Sequence, residues 1–238
     1  VQNYLGELWN LFQFLNPGLL GTYEQFRSKY IVPIESFSDK ERQRQLRRIV
    51  QPFMLRRTKA EVIAELPDKT DITREVMFSA EETLNYEKIR EEAKEMLEDK
   101  DKVDVVALSM ITKLRQAACS MSLVEDSWGG SESKVTAFMD LVTEITSSGN
   151  RALVFSQFTS FLSICRKSLD EAGVPYFYLD GSTPIRRREE MVQDFQKGRM
   201  PLFLISLKAG GLGLNLPGAN YVIHLDPWWN PAVQQQAT

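Results

Sequence analysis

The C-terminal half of the chain is constrained most by an alternation of short apolar runs with longer segments of helical character. The apolar runs are residues 152–155, 174–179, 202–205 and 221–225, and the segments 158–172 and 185–197 lie between them. Strands that are buried on both faces appear as continuous apolar runs, whereas an antiparallel meander would alternate apolar and polar residues. The pattern therefore predicts an α/β fold, in which right-handed crossovers cover both faces of a parallel sheet with helices.

Polar loops follow three of these predicted strands, at the ends where ligands of open parallel sheets bind. After the first strand, Ser156 and Gln157 offer hydrogen bonds to a sugar-phosphate chain. After the second strand, Ser182 precedes Thr183, which is predicted to cap a helix that begins at Pro184. Such a helix start presents free backbone N–H groups to an anion.

The loop after the third strand is rich in glycine. Gly210, Gly211 and Gly213 either serve as turn residues or let backbone N–H groups approach a phosphate, where Lys208 would add a point charge. The glycine spacing does not match the dinucleotide-binding fingerprint. Asp226, after the fourth strand, is also too close to be the ribose-binding acid of that fingerprint.

The composition limits how the chain can meet a polyanion or a membrane. Its net charge of −3 provides no global field for nucleic acid, so any such contact must be local. Cys119 and Cys165 have no metal-ligand spacing, which predicts buried thiols in a reducing, intracellular compartment (cytoplasm, nucleoid or nucleus). The chain contains no signal peptide and no apolar run of ~20 residues, so we expect no membrane span.

The first 133 residues are predicted to be mostly helical. The N-terminal segment has an apolar helix face, which residues 16–18 should end, and its members are Leu5, Leu8, Trp9, Phe12 and Leu15. Capping boxes predict three further helix starts, at Ser38 with Glu41, Thr58 with Glu61 and Ser79 with Glu82. The helix after the last box has an apolar stripe of Ile89, Ala93, Met96 and Leu97. Residues 126–133 are small and polar and are predicted to be a linker.

Two of these helical segments carry opposite charge. Residues 40–59 contain eight basic side chains and one acidic side chain. This excess of positive charge is typical either of a solvated helix face or of a surface that contacts the phosphates of a nucleic-acid backbone. Between residues 81 and 104 ten acids outnumber five bases, so this second segment would repel DNA.

Several strings of the sequence resemble one protein family. SLKAGGLGLNL followed by DPWWNPAVQQQA resembles motif V and the adjacent block of the second RecA-like lobe in the Swi/Snf-like family of ATP-dependent DNA translocases, within helicase superfamily two. SQFTSFL resembles motif IV of that family, and DGSTPIRRR resembles its DGST pattern, with Arg188 at the arginine position. QNYLGELWNLFQFLNP and PFMLRRTKAEVIAELPDK resemble the end of the first lobe and the passage to the second. Three positions depart from the family: Met121 and Ser122 replace His-Pro, and Gln234 replaces an acid.

The resemblance implies three parts of the chain and a longer parent protein. Residues 1–66 would be the tail of the first lobe with a helical protrusion, residues 67–133 a second protrusion and linker, and residues 134–238 the RecA-like second helicase lobe. The phosphate-binding loop and magnesium-binding acids would precede the chain, and the arginine fingers of motif VI would follow it. Such a finger is worth about 10³–10⁵ in rate. We therefore expect the chain alone to be inactive and to bind neither ATP nor Mg²⁺ tightly.

As the resemblance implies, the intact protein would hydrolyse ATP with Mg²⁺ and move along double-stranded DNA, so that bound proteins are remodelled or displaced. The candidate DNA contacts are Ser156, Gln157, Ser182, Thr183, Arg188, Ser206, Lys208, Asn215 and Trp228. The candidate nucleotide contacts are Gly210, Gly211, Gly213, Asp226 and Gln235. Besides DNA, the expected partners are the first lobe of the same protein and a protein bound by the helical protrusions.

Other interpretations fit some of the same residues. The protein could separate nucleic-acid strands, as a helicase of the same superfamily, or act as a non-catalytic scaffold for a partner. Trp228 and Trp229 suit core packing as well as a ligand site, and Arg186 and Arg187 suit solvated surface. His224 lies within a strand pattern without another metal-ligating residue at ligand spacing, which favours a packed residue over a metal ligand.

Overall fold

The structure, a computed structural model, describes residues 4–55, 70–97, 103–210 and 214–228. It divides into two compact units, Val1–Ile72 and Thr73–Thr238. The predicted boundary between residues 133 and 134 lies inside the second unit and stays a prediction. No helix among the described residues is long and apolar enough to cross a membrane.

The first unit consists of helices around one apolar cluster. Helix α1 spans Leu5–Leu15, α2 spans Tyr23–Phe26 and continues into a π-helical segment at Arg27–Ser36, and α3 spans Lys40–Val50. Helix α1 has the predicted face, because Leu8 and Phe12 are buried, although Leu15 at its end is exposed. The two buried side chains pack with Phe26, Tyr30, Leu46 and Val50.

The start of α3 differs from the prediction by one residue. The carboxylate of Asp39, not the hydroxyl of Ser38, accepts hydrogen bonds from the backbone N–H groups of Glu41 (2.9 Å) and Arg42 (3.0 Å). Ser38 itself adopts a left-handed conformation with φ of 53°. Asp and Ser are equally good N-caps, so residue type does not decide between two adjacent candidates.

Among the described residues of the second unit, three α-helices precede the sheet: α4 (Ala80–Leu97), α5 (Val103–Ala117) and α6 (Ser133–Ser147). The predicted capping box of α4 is confirmed, because Ser79 N donates to the Glu82 carboxylate (2.7 Å) and Glu82 N donates to Ser79 Oγ (3.2 Å). Ile89 and Ala93 of the predicted stripe are buried, whereas Met96 is 48% exposed. The predicted box at Thr58 and Glu61 and the side chain of Leu97 lie outside the described part of the chain.

The predicted linker, residues 126–133, makes specific contacts with its neighbours. Trp128 packs against the cluster of Ile89, Ala117 and Met121, and its Nε1 donates to the Ser131 carbonyl (3.3 Å). The Ser131 hydroxyl in turn donates to Ser79 Oγ (2.7 Å). The small polar residues of this segment therefore make specific bonds to the start of α4.

The described sheet has four parallel strands: β1 (Ala152–Ser156), β2 (Tyr176–Leu179), β3 (Leu202–Ser206) and β4 (Tyr221–His224). Their order is β2-β3-β1-β4. The crossover helices are α7 (Thr159–Glu171) and α8 (Ile185–Gln196). Helices α6 and α7 pack on Val154 and Leu204 at one face, and α8 packs through Phe195 on Leu153 and Phe203 at the other. The predicted α/β fold with helices on both faces is confirmed.

Candidate nucleic-acid interface

All four described strands direct their carboxyl ends to one edge of the sheet. Strands β1 and β3 each run one residue further than predicted and end in register, with Ser156 opposite Ser206. On the other side of β1, Phe155 lies opposite His224 of β4, while β2 flanks β3. The loops that carry most of the candidate ligand residues therefore leave the same edge.

A buried carboxylate joins two of these loops. Asp226, only 4% exposed, accepts hydrogen bonds from the Ser156 hydroxyl and from the backbone N–H of Gln157, which lies 3.3 Å from each carboxylate oxygen. Ser156 Oγ also accepts from the N–H of Phe158 (3.1 Å). Burial raises the pKa of Asp226 above its ordinary value, although the hydrogen bonds from Ser156 and Gln157 act in the opposite direction.

Three residues that were predicted to contact DNA or nucleotide are buried. Ser156 and Ser206 are enclosed at the strand ends, and Asp226 uses its carboxylate within the protein. Their contact with a ligand stays a prediction, which burial does not favour. Gln157 is half-buried, and its Nε2 is buried without a hydrogen-bond partner among the described residues. Contact of Gln157 with a ligand stays a prediction.

The loop after β2 is closed by its own hydrogen bonds. The Asp180 carboxylate accepts from the hydroxyl (2.6 Å) and N–H (2.9 Å) of Ser182 and from the hydroxyl of Tyr178 (3.0 Å). These bonds, that of the Ser182 hydroxyl first, hold the pKa of Asp180 below its ordinary value. Thr183 Oγ1 accepts from the Asp180 N–H (3.1 Å), so it closes this turn and does not cap α8. Helix α8 accordingly begins one residue later than predicted, after Pro184.

The three arginines at the start of α8 have different surroundings. Arg188 is half-buried, and its Nη2 reaches the carbonyl oxygens of Asp180 (3.4 Å) and Thr183 (3.3 Å), so it braces the β2 loop. Arg186 and Arg187 are exposed, and each lies 3.4 Å from one glutamate of the same helix. Exposed pairs of this kind contribute little to stability, and they agree with a solvated surface.

The loop after β3 begins with a short helical turn, α9 (Leu207–Gly210). Lys208 is exposed between two buried neighbours, so the turn is anchored in the core while its lysine faces solvent. Asn215 is also exposed, and its carbonyl oxygen accepts from Gln196 Nε2 (2.8 Å). Gly210 ends the turn, and the structure does not describe Gly211 and Gly213.

The described residues after β4 end at Trp228. His224 stacks on Phe155 with ring centroids 5.5 Å apart, which confirms the prediction of a packed residue. Trp228 is half-buried against the cluster that contains Phe195 and Phe203, so packing accounts for part of its surface. The candidates Trp229 and Gln235 lie outside the described residues.

Two basic side chains that sequence reasoning missed hold the β4 loop. Lys134 Nζ donates to the Leu225 carbonyl (3.2 Å), and Arg115 donates to the Pro227 carbonyl. Arg115 also lies 5.9 Å from the centre of the Phe158 ring. Its one sequence signal was its place in the family-like string ITKLRQAACSMSLV. A hydrogen bond to a backbone carbonyl cannot be predicted from residue type, because every residue has a backbone carbonyl group.

Neither cysteine belongs to the interface. Burial raises the pKa of Cys119 and Cys165 to about 12 each, so both are protonated thiols, and the prediction that they are buried is confirmed. Within the described ranges, no three His, Cys, Asp or Glu side chains are grouped to hold a metal ion.

A parallel sheet with helices on both faces and polar loops at one edge is the architecture of a RecA-like α/β lobe, among other α/β folds. Comparison with known proteins agrees: residues 133–238 match the helicase conserved C-terminal domain, and residues 1–123 match the SNF2-related domain. The second match covers more than half of the chain. The chain therefore belongs to the SNF2-related family of helicase superfamily two.

Relatives in bacteria and yeast match the whole chain. It is 35% identical over 248 residues to YwqA of Bacillus subtilis (strain 168), provisionally named as an ATP-dependent helicase/translocase, and covers 27% of that protein. It is 31% identical over 269 residues to the DNA repair and recombination protein RDH54 of Saccharomyces cerevisiae (strain ATCC 204508 / S288c), and covers 28% of it. Each alignment includes 100% of the chain, which thus spans about a quarter of these relatives.

Two solved structures from Sulfolobus solfataricus are similar to the chain. The SWI2/SNF2 ATPase core in complex with dsDNA is 30% identical with a TM-score of 0.63, and the match covers 98% of this chain and 52% of that one. The SWI2/SNF2 ATPase C-terminal domain is 28% identical with a TM-score of 0.58, and that match covers 65% of this chain and 70% of that one.

Proposed function

We propose that the intact protein is an ATP-driven translocase on double-stranded DNA that remodels or displaces bound proteins. The second unit would contact the DNA backbone and help to close the ATP site. One observation carries this proposal. The carboxyl ends of the four described strands lie at one edge of the sheet, and Ser182, Lys208 and Asn215 are exposed in the loops that leave this edge. The similarity of nearly the whole chain to an ATPase core in complex with dsDNA supports it.

The side chains at this edge suit a phosphate backbone better than base edges. Hydroxyl, amide and ammonium groups on loops bind phosphate and sugar oxygens, which fixes the position of a protein on DNA without reading sequence. Because the net charge is −3, attraction to DNA has to be local. Removal of a single cation at this edge should therefore matter more than removal of a cation elsewhere.

The test compares two lysine variants of the intact protein. Lys208→Ala removes the exposed cation that follows β3, whereas Lys197→Ala removes an exposed cation at the C-terminal end of α8, at the opposite edge of the sheet. We expect Lys208→Ala to raise the DNA concentration for half-maximal ATPase stimulation about tenfold, as for the loss of one charge-assisted contact. Lys197→Ala should leave this concentration unchanged. Equal effects of the two variants would contradict the proposed interface.

The same assays separate the other interpretations. Displacement of the third strand of a triplex, without opening of the duplex, would support translocation. Separation of duplex strands would instead indicate a strand-separating helicase. If the intact protein had no DNA-stimulated ATPase activity, a non-catalytic scaffold would be the better description.

A further inference from the structure

A cation from helix α5 reaches two loops of the candidate interface. Arg115, near the C-terminal end of α5, donates from Nη2 to the carbonyl of Pro227 in the loop after β4, 112 positions away in sequence. Its guanidinium carbon lies 5.9 Å from the centre of the Phe158 ring in the loop after β1. Helix α5 precedes the sheet in the chain and is not one of its crossover helices. Arg115 therefore connects the helical segment α4–α5 directly to the interface.

The two loops that Arg115 contacts are also joined to each other. The buried carboxylate of Asp226 accepts hydrogen bonds from Ser156 and from the N–H of Gln157, so the β1 and β4 loops are fixed together. Lys134 of α6 adds a second basic donor to the β4 loop at 3.2 Å. The position of Gln157 relative to the β4 loop thus depends on a small network to which Arg115 contributes from outside the sheet.

Helix α5 is itself held to α4. Their shared cluster contains Ile89 of α4 and Ala117 of α5, and Lys113 of α5 lies 3.2 Å from Glu92 of α4. A displacement of α4 would therefore be expected to move α5 and the guanidinium group near its end. In this way the helical segment α4–α5 has a physical route to the carboxyl edge of the sheet.

We propose that Arg115 is a positioning residue that couples the helical segment α4–α5 to the DNA-contacting loops. This inference rests on the proposed function. The planar guanidinium group donates to a carbonyl while its face covers an aromatic ring, and a lysine ammonium group does not reproduce both contacts. DNA contact at the carboxyl edge then depends on the position of α5 relative to the β1 and β4 loops.

Arg151 provides a matched control with the same chemistry. Its Nη1 donates to the Phe195 carbonyl (2.7 Å), and its guanidinium carbon lies 5.5 Å from the Phe195 ring. Like Arg115 it is half-buried, but it precedes β1 and so lies at the amino edge of the sheet. Substitution of either arginine removes a carbonyl contact and a ring contact, and only Arg115 touches the candidate interface. A general loss of packing would affect both variants alike.

The functional test measures DNA-stimulated ATPase activity of the intact protein with Arg115→Lys or Arg151→Lys. Lysine keeps the charge and most of the stem, which protects folding. We expect Arg115→Lys to raise the DNA concentration for half-maximal stimulation about tenfold, as for one lost charge-assisted bond. Arg151→Lys should behave as the unaltered protein does. Equal effects of the two variants overturn the proposal.

Hydrogen exchange distinguishes failure of this inference from failure of the proposed function. We expect Arg115→Lys to speed exchange at the backbone amides of Gln157 and Phe158 by at least about tenfold, because the loops open locally more often, and Arg151→Lys to leave these amides unchanged. Unchanged exchange there in Arg115→Lys overturns the positioning role. If the unaltered protein shows no DNA-stimulated ATPase activity, the proposed function fails, and exchange alone decides whether Arg115 positions the two loops.

Discussion

Burial decides which polar side chains at the strand ends are available to a ligand. Ser156 and Asp226 come directly after two apolar runs of the sequence, where a hydroxyl and a carboxylate are typical ligand residues. In the structure they bond to each other at the ends of neighbouring strands, and both are buried. The hydrogen bond between them holds the β1 and β4 loops together. Lys208 and Asn215, by contrast, are exposed, and we propose that they contact the ligand.

The raised pKa of Asp226 predicts how this residue affects stability at different pH. An acid whose pKa is raised by folding contributes stability that is fully present below the pKa of an unfolded aspartate, about 3.9, and is lost as the pH rises through the folded pKa. Asp226→Asn keeps an acceptor oxygen and removes the titration. We expect the free energy of unfolding of the unaltered chain, relative to Asp226→Asn, to fall as the pH rises across this window. Urea denaturation measures the difference, and a difference that did not change with pH would contradict the assignment.

At the scale of elements, one glutamate connects the starts of two helices. Besides completing the capping box of α4, the Glu82 carboxylate accepts from the N–H (2.9 Å) and the hydroxyl of Ser133, at the start of α6. Burial alone would raise its pKa, but the hydrogen bonds from Ser133 and Ser79 outweigh burial and lower it. The capping box could be predicted because its residues are three apart. The bond to Ser133 could not, because it joins residues 51 positions apart.

Glu82→Ala is expected to lower the free energy of unfolding by about 2–3 kcal/mol, because backbone N–H groups at two helix starts lose a charged acceptor. Glu87→Ala is the matched control on the same helix. It removes an exposed pair with Arg90 (2.7 Å) and should change the free energy by less than about 0.5 kcal/mol.

The effect of Glu82 should also depend on pH. Since its pKa is lowered, its contribution is present above the pKa of an unfolded glutamate and is lost as the pH falls through the folded pKa. Urea denaturation of both variants at neutral and acidic pH measures these effects. Equal losses at neutral pH for Glu82→Ala and Glu87→Ala would contradict a special role for Glu82.

At the scale of the whole molecule, the strand order brings distant loops to one edge. Strand β1 lies between β3 and β4, so loops that are far apart in sequence become neighbours. Parallel pairing then places the carboxyl ends of the four described strands at the same edge of the sheet. A chain with a net charge of −3 can in this way present a local surface to a polyanion.

This geometry predicts how salt and DNA sequence affect binding. The affinity of the intact protein for duplex DNA should fall linearly with salt on a logarithmic plot and vary little between sequences, as for backbone contacts. Lys208→Ala should make the slope shallower by about one, whereas Lys197→Ala should not change it. Titrations of two unrelated duplexes at several salt concentrations test this. A loss of affinity for only one of the two duplexes would indicate base readout and contradict the prediction.

The sequence by itself determined the alternation of strands and crossover helices after residue 150 and the family, because both depend on local patterns. The segments 158–172 and 185–197 became Thr159–Glu171 and Ile185–Gln196, since helix length and apolar spacing are local properties. Only the tertiary structure decided what Ser156, Asp226 and Arg115 do. Burial and carbonyl partners are set by which strands and helices become neighbours, and that choice depends on the whole chain rather than on any single stretch of it.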